Sequence, residues 1–279
     1  MPFLGLLLLL LLLFPGVGFS YKVFLISLPD NYGAVNKEKL FYLGAAEPAF
    51  GLILDLKTPK NLYTILPNGT VEKPIFLKSE FFDKALNTKR IGYNVKFSPK
   101  TQGDHLFCLE SDYTLLRDQT VGKFLVKTFF HVVKETHWEK LCGFELEIKP
   151  YTRPYGFRKH GVFWGQIWYK NKPLSSGEVE AEYFSPIFLK EEDLPKDSYG
   201  QINYPYLKKK VKLSKNGFFV VSLENPGWWV ITFKVRSGEK TYGNQRYPFY
   251  LIHHFWLYVF PDKKEESILE YFEPPFKQK

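Results

Sequence analysis

The chain is poor in sulfur. It has two cysteines and one methionine among 279 residues. The methionine is Met1, so thioether ligation of copper is excluded once a leader is removed. No C-x-x-C pair exists, so Cys108 and Cys142 cannot build a structural zinc site alone. A Walker loop, G-x-G-x-x-G, H-E-x-x-H and a nucleophile elbow are also missing. Those absences remove the usual signatures of nucleotide, metalloprotease and serine-hydrolase chemistry, and the expectation is a non-enzymatic protein. No nucleic-acid motif is present, so no nucleic-acid partner is expected. No repeat of 20 to 50 residues is visible. Beyond residue 20 no stretch reaches about 18 apolar residues, so no membrane helix is expected in the mature chain.

Residues 1–20 lack any charged side chain. Phe3 to Phe14 is a Leu-dominated run, too short for a comfortable membrane span. Pro15 and Gly16 end it, and Gly18 and Ser20 are small residues at the −3 and −1 positions before Tyr21. The expectation is a signal peptide over 1–20 and a periplasmic or cell-envelope location. The mature chain keeps the formal charge of +9, which suits anionic lipid or an acidic partner and also favours solubility. Export permits a Cys108–Cys142 disulfide. Two small buried thiols are the alternative.

Aromatics are what the chain has in quantity: 27 Phe and 18 Tyr, residues that favour strands. Val211 to Val235 sets the pattern. Asn216-Gly217 lies between two apolar stretches and predicts a hairpin. Pro226-Gly227 predicts a second turn. After it Trp229, Ile231, Phe233 and Val235 share one strand face, and Trp228, Val230, Thr232 and Lys234 share the other. This reads as a meander with one buried and one partly wet side. Further strands are predicted at Tyr21–Leu28, Lys39–Leu43, Phe50–Leu56, Lys89–Phe97, His105–Glu110, Gly122–Val133, Gly161–Tyr169, Gly177–Phe184 and Tyr247–Phe260. Leu62–Leu66 and Val71–Leu77 form a hairpin over Pro67-Asn68-Gly69-Thr70, whose sequon is explained by the turn alone. Pro150 and Pro154 break the strand pattern and suggest a boundary near 150. The organisation read from this is all-β: domains over 21–150 and 151–262, then a charged tail over 263–279.

Candidate site residues are few. Six histidines are present. On an extended strand Glu135 and His137 stand about 6.6 Å apart and could share a metal ion with help from elsewhere. His131 and His137 are too far apart to do so. His253 and His254 are adjacent and point to opposite faces, so they cannot chelate together. Glu178, Glu180 and Glu182 alternate with Val179, Ala181 and Tyr183, and Lys208, Lys210 and Lys212 can pair with them across strands. Trp164, Trp168, Trp228, Trp229 and Trp256 serve either as core or as a sugar-stacking platform. Exposure in a planar row favours the platform, and burial removes it.

Gly143 to Phe184, GFELEIKPYTRPYGFRKHGVFWGQIWYKNKPLSSGEVEAEYF, and Asn216 to Val235, NGFFVVSLENPGWWVITFKV, carry a resemblance. They resemble a set of bacterial exported proteins of uncharacterised domain type. Some members are labelled periplasmic accessory components of energy-coupling-factor nickel or cobalt uptake transporters. The resemblance implies two β-sandwich domains, an Ig-like first and a second similar to transthyretin-like or carboxypeptidase-regulatory modules. It implies an accessory or binding role, with nickel or cobalt as the metal and a membrane metal-uptake transporter as the partner. Members place histidines near the mature amino terminus and in a G-H-P-F-like segment. Here Val23 is the third mature residue and Gly44 to Gly51 holds no His. The alternative is an envelope structural or adhesion module that binds a protein or polysaccharide.

Overall fold

The structure, a computed structural model, describes residues 21–83, 86–185, 196–200 and 208–261. The signal segment, most of the insertion at 185–207 and the charged tail fall outside the described residues. Strands β1 (Lys22–Ser27), β2 (Lys39–Glu47), β3 (Leu52–Leu54), β4 (Asn61–Ile65), β5 (Val71–Glu72), β6 (Phe76–Asp83), β7 (Thr88–Phe97), β8 (Gly103–Leu115) and β9 (Val121–Val132) come first. Then follow β10 (Leu146–Pro150), β11 (Phe157–Arg158), β12 (Gly161–Tyr169), β13 (Lys172–Pro173), β14 (Glu178–Tyr183), β15 (Lys208–Lys212), β16 (Phe218–Leu223), β17 (Gly227–Tyr242) and β18 (Gln245–Phe260). Among the described residues the one helical element is a 3-10 turn at Pro48–Phe50, and no helix is long and apolar enough to cross a membrane. The protein is all-β.

The strands form three sheets. A five-stranded sheet runs β1-β2-β7-β6 with β3 on β2, and a four-stranded sheet is β10-β12-β13 with β16 on β12. A nine-stranded sheet runs β15-β14-β17-β18-β9-β8-β4-β5 with β11 on β18. The large sheet takes strands from both sides of residue 150. They meet where Phe249–Trp256 of β18 lies parallel to Val121–Thr128 of β9.

Side-chain alternation then decides the layering. Leu106, Leu125, Phe129, Trp229, Ile231, Phe233 and Phe255 pack with the inner residues of the four-stranded sheet. Phe107, Leu109, Phe124, Val126, Phe130, Trp228, Val230 and Trp256 pack with β1, β2 and β7. The central strands of the large sheet are thus buried on both faces and serve as a shared wall between two cores. This corrects the expectation of one wet side on β17. Trp228 and Val230 are buried because the five-stranded sheet covers them, and Lys234 alone of that face stays exposed.

The meander is also corrected. Asn216-Gly217 does make a tight turn, with Gly217 N–H donating to the Ser214 carbonyl at 2.9 Å. Yet β15 pairs with β14 and β16 pairs with β12. The turn is a corner between sheets, and Pro226-Gly227 is the corner back. Gly217 has φ +78, and a Cβ there would sit 2.6 Å from the Leu174 carbonyl oxygen. Asn68-Gly69 does cap a paired hairpin, with Ile65 opposite Val71.

Cys108 and Cys142 form a disulfide, with Cα atoms 5.8 Å apart. It closes a loop across 34 residues, a constraint of about 3–4 kcal/mol on the unfolded chain. Beside it lies a buried ion pair. Lys127 Nζ donates to Glu147 Oε1 at 2.9 Å and to the Lys140 carbonyl at 2.9 Å. Glu147 accepts from the backbone N–H groups of Cys142, Gly143 and Phe144. Every polar atom of the pair is engaged, which offsets a desolvation cost of several kcal/mol per ion.

Gly217→Ala forces a Cβ against backbone at positive φ. It should destabilise the protein by at least about 1 kcal/mol, read from denaturant midpoints. Acid stability follows from buried imidazoles. Burial lowers the pKa of His105, His253 and His254 below 6.5. As pH falls through that value the imidazoles of the unfolded chain take up protons before those of the folded chain do, most clearly at His253 and His254. Burial raises Glu47 to about 7, so the folded chain keeps one proton that the unfolded chain has released. The imidazole uptake outweighs the Glu47 proton, so stability present above pH 6.5 should fall as pH drops below that value. Urea unfolding at pH 7.5, 6.5 and 5.5 measures that slope.

Candidate functional site

Among the described residues the outer face of the four-stranded sheet has no layer over it. In the four-stranded sheet Phe163, Gly165, Ile167, Phe219 and Val221 turn inward, and a Cβ on Gly165 would meet the Phe219 ring at 2.8 Å. The alternate residues turn outward. Register sets Lys149 opposite Gln166, Gln166 opposite Phe218, Trp164 opposite Val220 and Val162 opposite Ser222. Val162, Trp164 and Val220 are 49%, 41% and 52% exposed. Three neighbouring large apolar side chains in water on one flat sheet are a recognisable binding surface.

The rings on this face are fixed. Trp164 lies 5.2 Å from Tyr151 and 5.6 Å from Phe218, tilted by 36° and 44°. Tyr151 meets Phe218 edge-on at 5.0 Å. Gln166, itself buried, accepts at Oε1 from the Tyr151 hydroxyl at 2.9 Å and from Trp168 Nε1 at 2.8 Å. Its amide nitrogen donates to the Asn216 carbonyl at 2.7 Å. Lys149 Nζ hangs 5.5 Å from the Tyr151 ring centre and 5.6 Å from that of Trp168. It forms no ion pair with any described residue. A cavity of about 500 Å³ opens beside Val220, lined by Lys208, Lys209, Lys210, Val211 and Ser222. Lys209 and Lys210 there pair with Glu224 and Glu178.

Strands β14 and β15 pair in the register the charges suggest, with Glu178, Glu180 and Glu182 opposite Lys212, Lys210 and Lys208. The inner end is buried rather than solvated. Glu182 is 1% exposed, accepts from the Ala49 N–H at 3.1 Å, and lies 3.8 Å from Lys22.

The histidines do not converge. Among the described residues no group of three or more His, Cys, Asp or Glu is placed to hold a metal ion. Glu135 accepts from Arg153 at 2.7 Å and from Trp138 Nε1 at 2.9 Å, and the guanidinium holds its carboxyl below the usual range. His137 is exposed, 3.6 Å from Glu139. His253 and His254 lie in opposite cores, beside Phe144 and Phe124. His131 carries a network that the sequence gives little sign of. Its Nδ1 meets Asp104 Oδ1 at 2.7 Å, and its ring stacks on Tyr155 at 4.2 Å. Asp104 Oδ2 accepts from the Thr136 N–H at 2.7 Å and the Tyr155 hydroxyl at 3.0 Å. Burial and that carboxylate push the Tyr155 phenol up.

Of five candidate tryptophans, Trp228, Trp229 and Trp256 are core. Trp164 and Trp168 are not. Tyr151, Phe218 and Lys149 complete the face from the strands on either side of β12.

A family model described as a domain of unknown function, DUF4198, matches residues 33–237. The chain belongs to the DUF4198 family. The matched DUF4198 region contains strands of all three sheets and every residue of the aromatic face. No curated protein sequence matches the chain. Among solved structures, Escherichia coli alpha-2-macroglobulin activated by porcine elastase is similar at 14% identity over 87% of this chain and 20% of that one, with a TM-score of 0.24. Trypsin-activated alpha-2-macroglobulin from Escherichia coli is similar at 13% identity over 86% of this chain and 16% of that one, with a TM-score of 0.25. The chain spans a fifth or less of those proteins' length.

Asp104 accepts on both oxygens, so Asp104→Asn exchanges a charged acceptor shared by His131, Thr136 and Tyr155 for a neutral amide with one acceptor oxygen. Denaturant unfolding should show a loss of about 2–4 kcal/mol.

Proposed function

We propose that this DUF4198 protein is an exported, non-enzymatic binding module of the cell envelope, with its ligand seat on the outer face of the four-stranded sheet. The observation that carries the reading is the exposed cluster of Trp164, Val162 and Val220 held on a rigid sheet. The leader-like residues 1–20 support export. Two opposed-sheet cores support the finer architecture of an Ig-like first and a transthyretin-like second sandwich, here built on one shared wall. A rigid, preformed surface suits binding, because little ordering entropy is lost when a ligand docks.

A second reading keeps the protein beside a nickel or cobalt transporter of the membrane. Its specific support is His131, whose Nδ1 is oriented by Asp104 in the way that second-shell carboxylates orient metal-bound imidazoles. Glu135 and His137, engaged with Arg153, Trp138 and Glu139, add to such a site only if those contacts open. Calorimetry with Ni²⁺ decides it: heat lost in His131→Ala supports the metal role, and no heat at millimolar metal removes it.

The binding reading is tested by co-sedimentation of the mature protein with purified envelope. The wild-type chain should sediment. Trp164→Ala, a change at an exposed position whose circular dichroism should match the wild type, should remain in the supernatant. Equal sedimentation of both, or of neither, overturns the reading.

A further inference from the structure

We infer that the outer face of the four-stranded sheet binds an acidic polysaccharide, a sugar ring lying on Trp164 and its carboxylates meeting Lys149. The inference rests on the reading of that face as the ligand seat and names what sits there.

The shape argues for sugar. A pyranose ring has an apolar face of C–H groups and a polar rim of hydroxyls. An aromatic ring presents a negative face that attracts those C–H groups. Trp164 packs on Tyr151, with ring centres 5.2 Å apart and planes 36° from parallel, and at 41% exposure the indole can take one sugar ring. Gln166 holds Tyr151 and Trp168 from below through bonds of 2.9 and 2.8 Å, so the rings need no rearrangement to bind. The cavity beside Val220 adjoins this face, and its lysines and the Ser222 hydroxyl are engaged with Glu178, Glu180, Glu182 and Glu224.

The charge argues for acid. Lys149 is held over two rings and has no carboxylate partner among the described residues. A half-buried ammonium with no carboxylate beside it is complementary to a ligand anion. The chain as a whole is at +9, which draws a polyanion toward it. A neutral polymer leaves Lys149 without a role. A protein partner is less well matched, since a stable protein interface covers about 800 Å² per partner and this sheet has four strands, one of them two residues long.

Affinity electrophoresis of the mature chain in gels containing polygalacturonate tests the inference, with dextran as the neutral control. Polygalacturonate should retard the wild type, and dextran should not. Trp164→Ala and Lys149→Gln should each weaken retardation about tenfold in Kd, and Lys149→Gln should also flatten its salt dependence. Retardation by dextran, or retardation unchanged in either variant, overturns the acidic-sugar assignment. So does light scattering that shows a dimer dissolved by Trp164→Ala, which would make a second copy the occupant. If Trp164-dependent envelope sedimentation persists while polygalacturonate is ignored, the seat stands and the ligand class falls.

Discussion

Phe249–Trp256 and Val121–Thr128 run side by side and parallel, and that seam carries the rest of the molecule. Parallel neighbours need a long crossover, and here it is most of the chain's second half. The seam joins β17–β18 to β8–β9 into one sheet with a core on each face. A parallel pair buried on both faces has no wet side, which is why β9 and β18 read as near-continuous apolar runs. Each large side chain in those runs contributes about 1.5–3 kcal/mol by leaving water. Removal of the seam would expose both cores together.

Charge buried in such a wall is tolerated only when it is fully paired. Lys127 sits in β9 between Phe129 and Phe255, and its ammonium is satisfied by Glu147 and two carbonyls. The disulfide and the 142–144 backbone gather around the same carboxylate. This cluster anchors β10 to the large sheet, and β10 is the edge from which Lys149 and Tyr151 reach the outer face. The asymmetry of the four-stranded sheet follows. Its inner residues are used against β9, β17 and β18, and its outer residues have no layer above them among the described residues.

Period-2 patterning made much of the fold legible. Tyr21–Leu28, Gly122–Val133, Gly161–Tyr169 and Tyr247–Phe260 lie within a residue or two of β1, β9, β12 and β18. The alternating glutamates and lysines pointed to the pairing of β14 with β15. Pairing across corners was not legible. Asn216-Gly217 prescribes a reversal of direction, but the next strand can stay in the sheet or leave it, and local turn chemistry is the same in both cases. The second core was hidden for a related reason: Trp228-Trp229 is apolar on both sides, and periodicity alone does not say which side meets which layer. The candidate site suffered most. In β12 both Phe163-Gly165-Ile167 and Val162-Trp164-Trp168 pass for a core face, so the exposed tryptophan looked like its buried neighbours. Glu135 and His137 had the right spacing for a shared ion on a strand, but they lie beyond the end of β9, where the backbone turns to Arg153 and Glu139 instead.

The shared wall is most directly tested by native-state hydrogen exchange. If one sheet supports both cores, the amides of Val121–Thr128 and Phe249–Trp256 open together and only on global unfolding, at the highest free energy in the chain. Exchange in Val121–Thr128 at a lower free energy, with Phe249–Trp256 still protected, would show two separately folding halves and contradict the account.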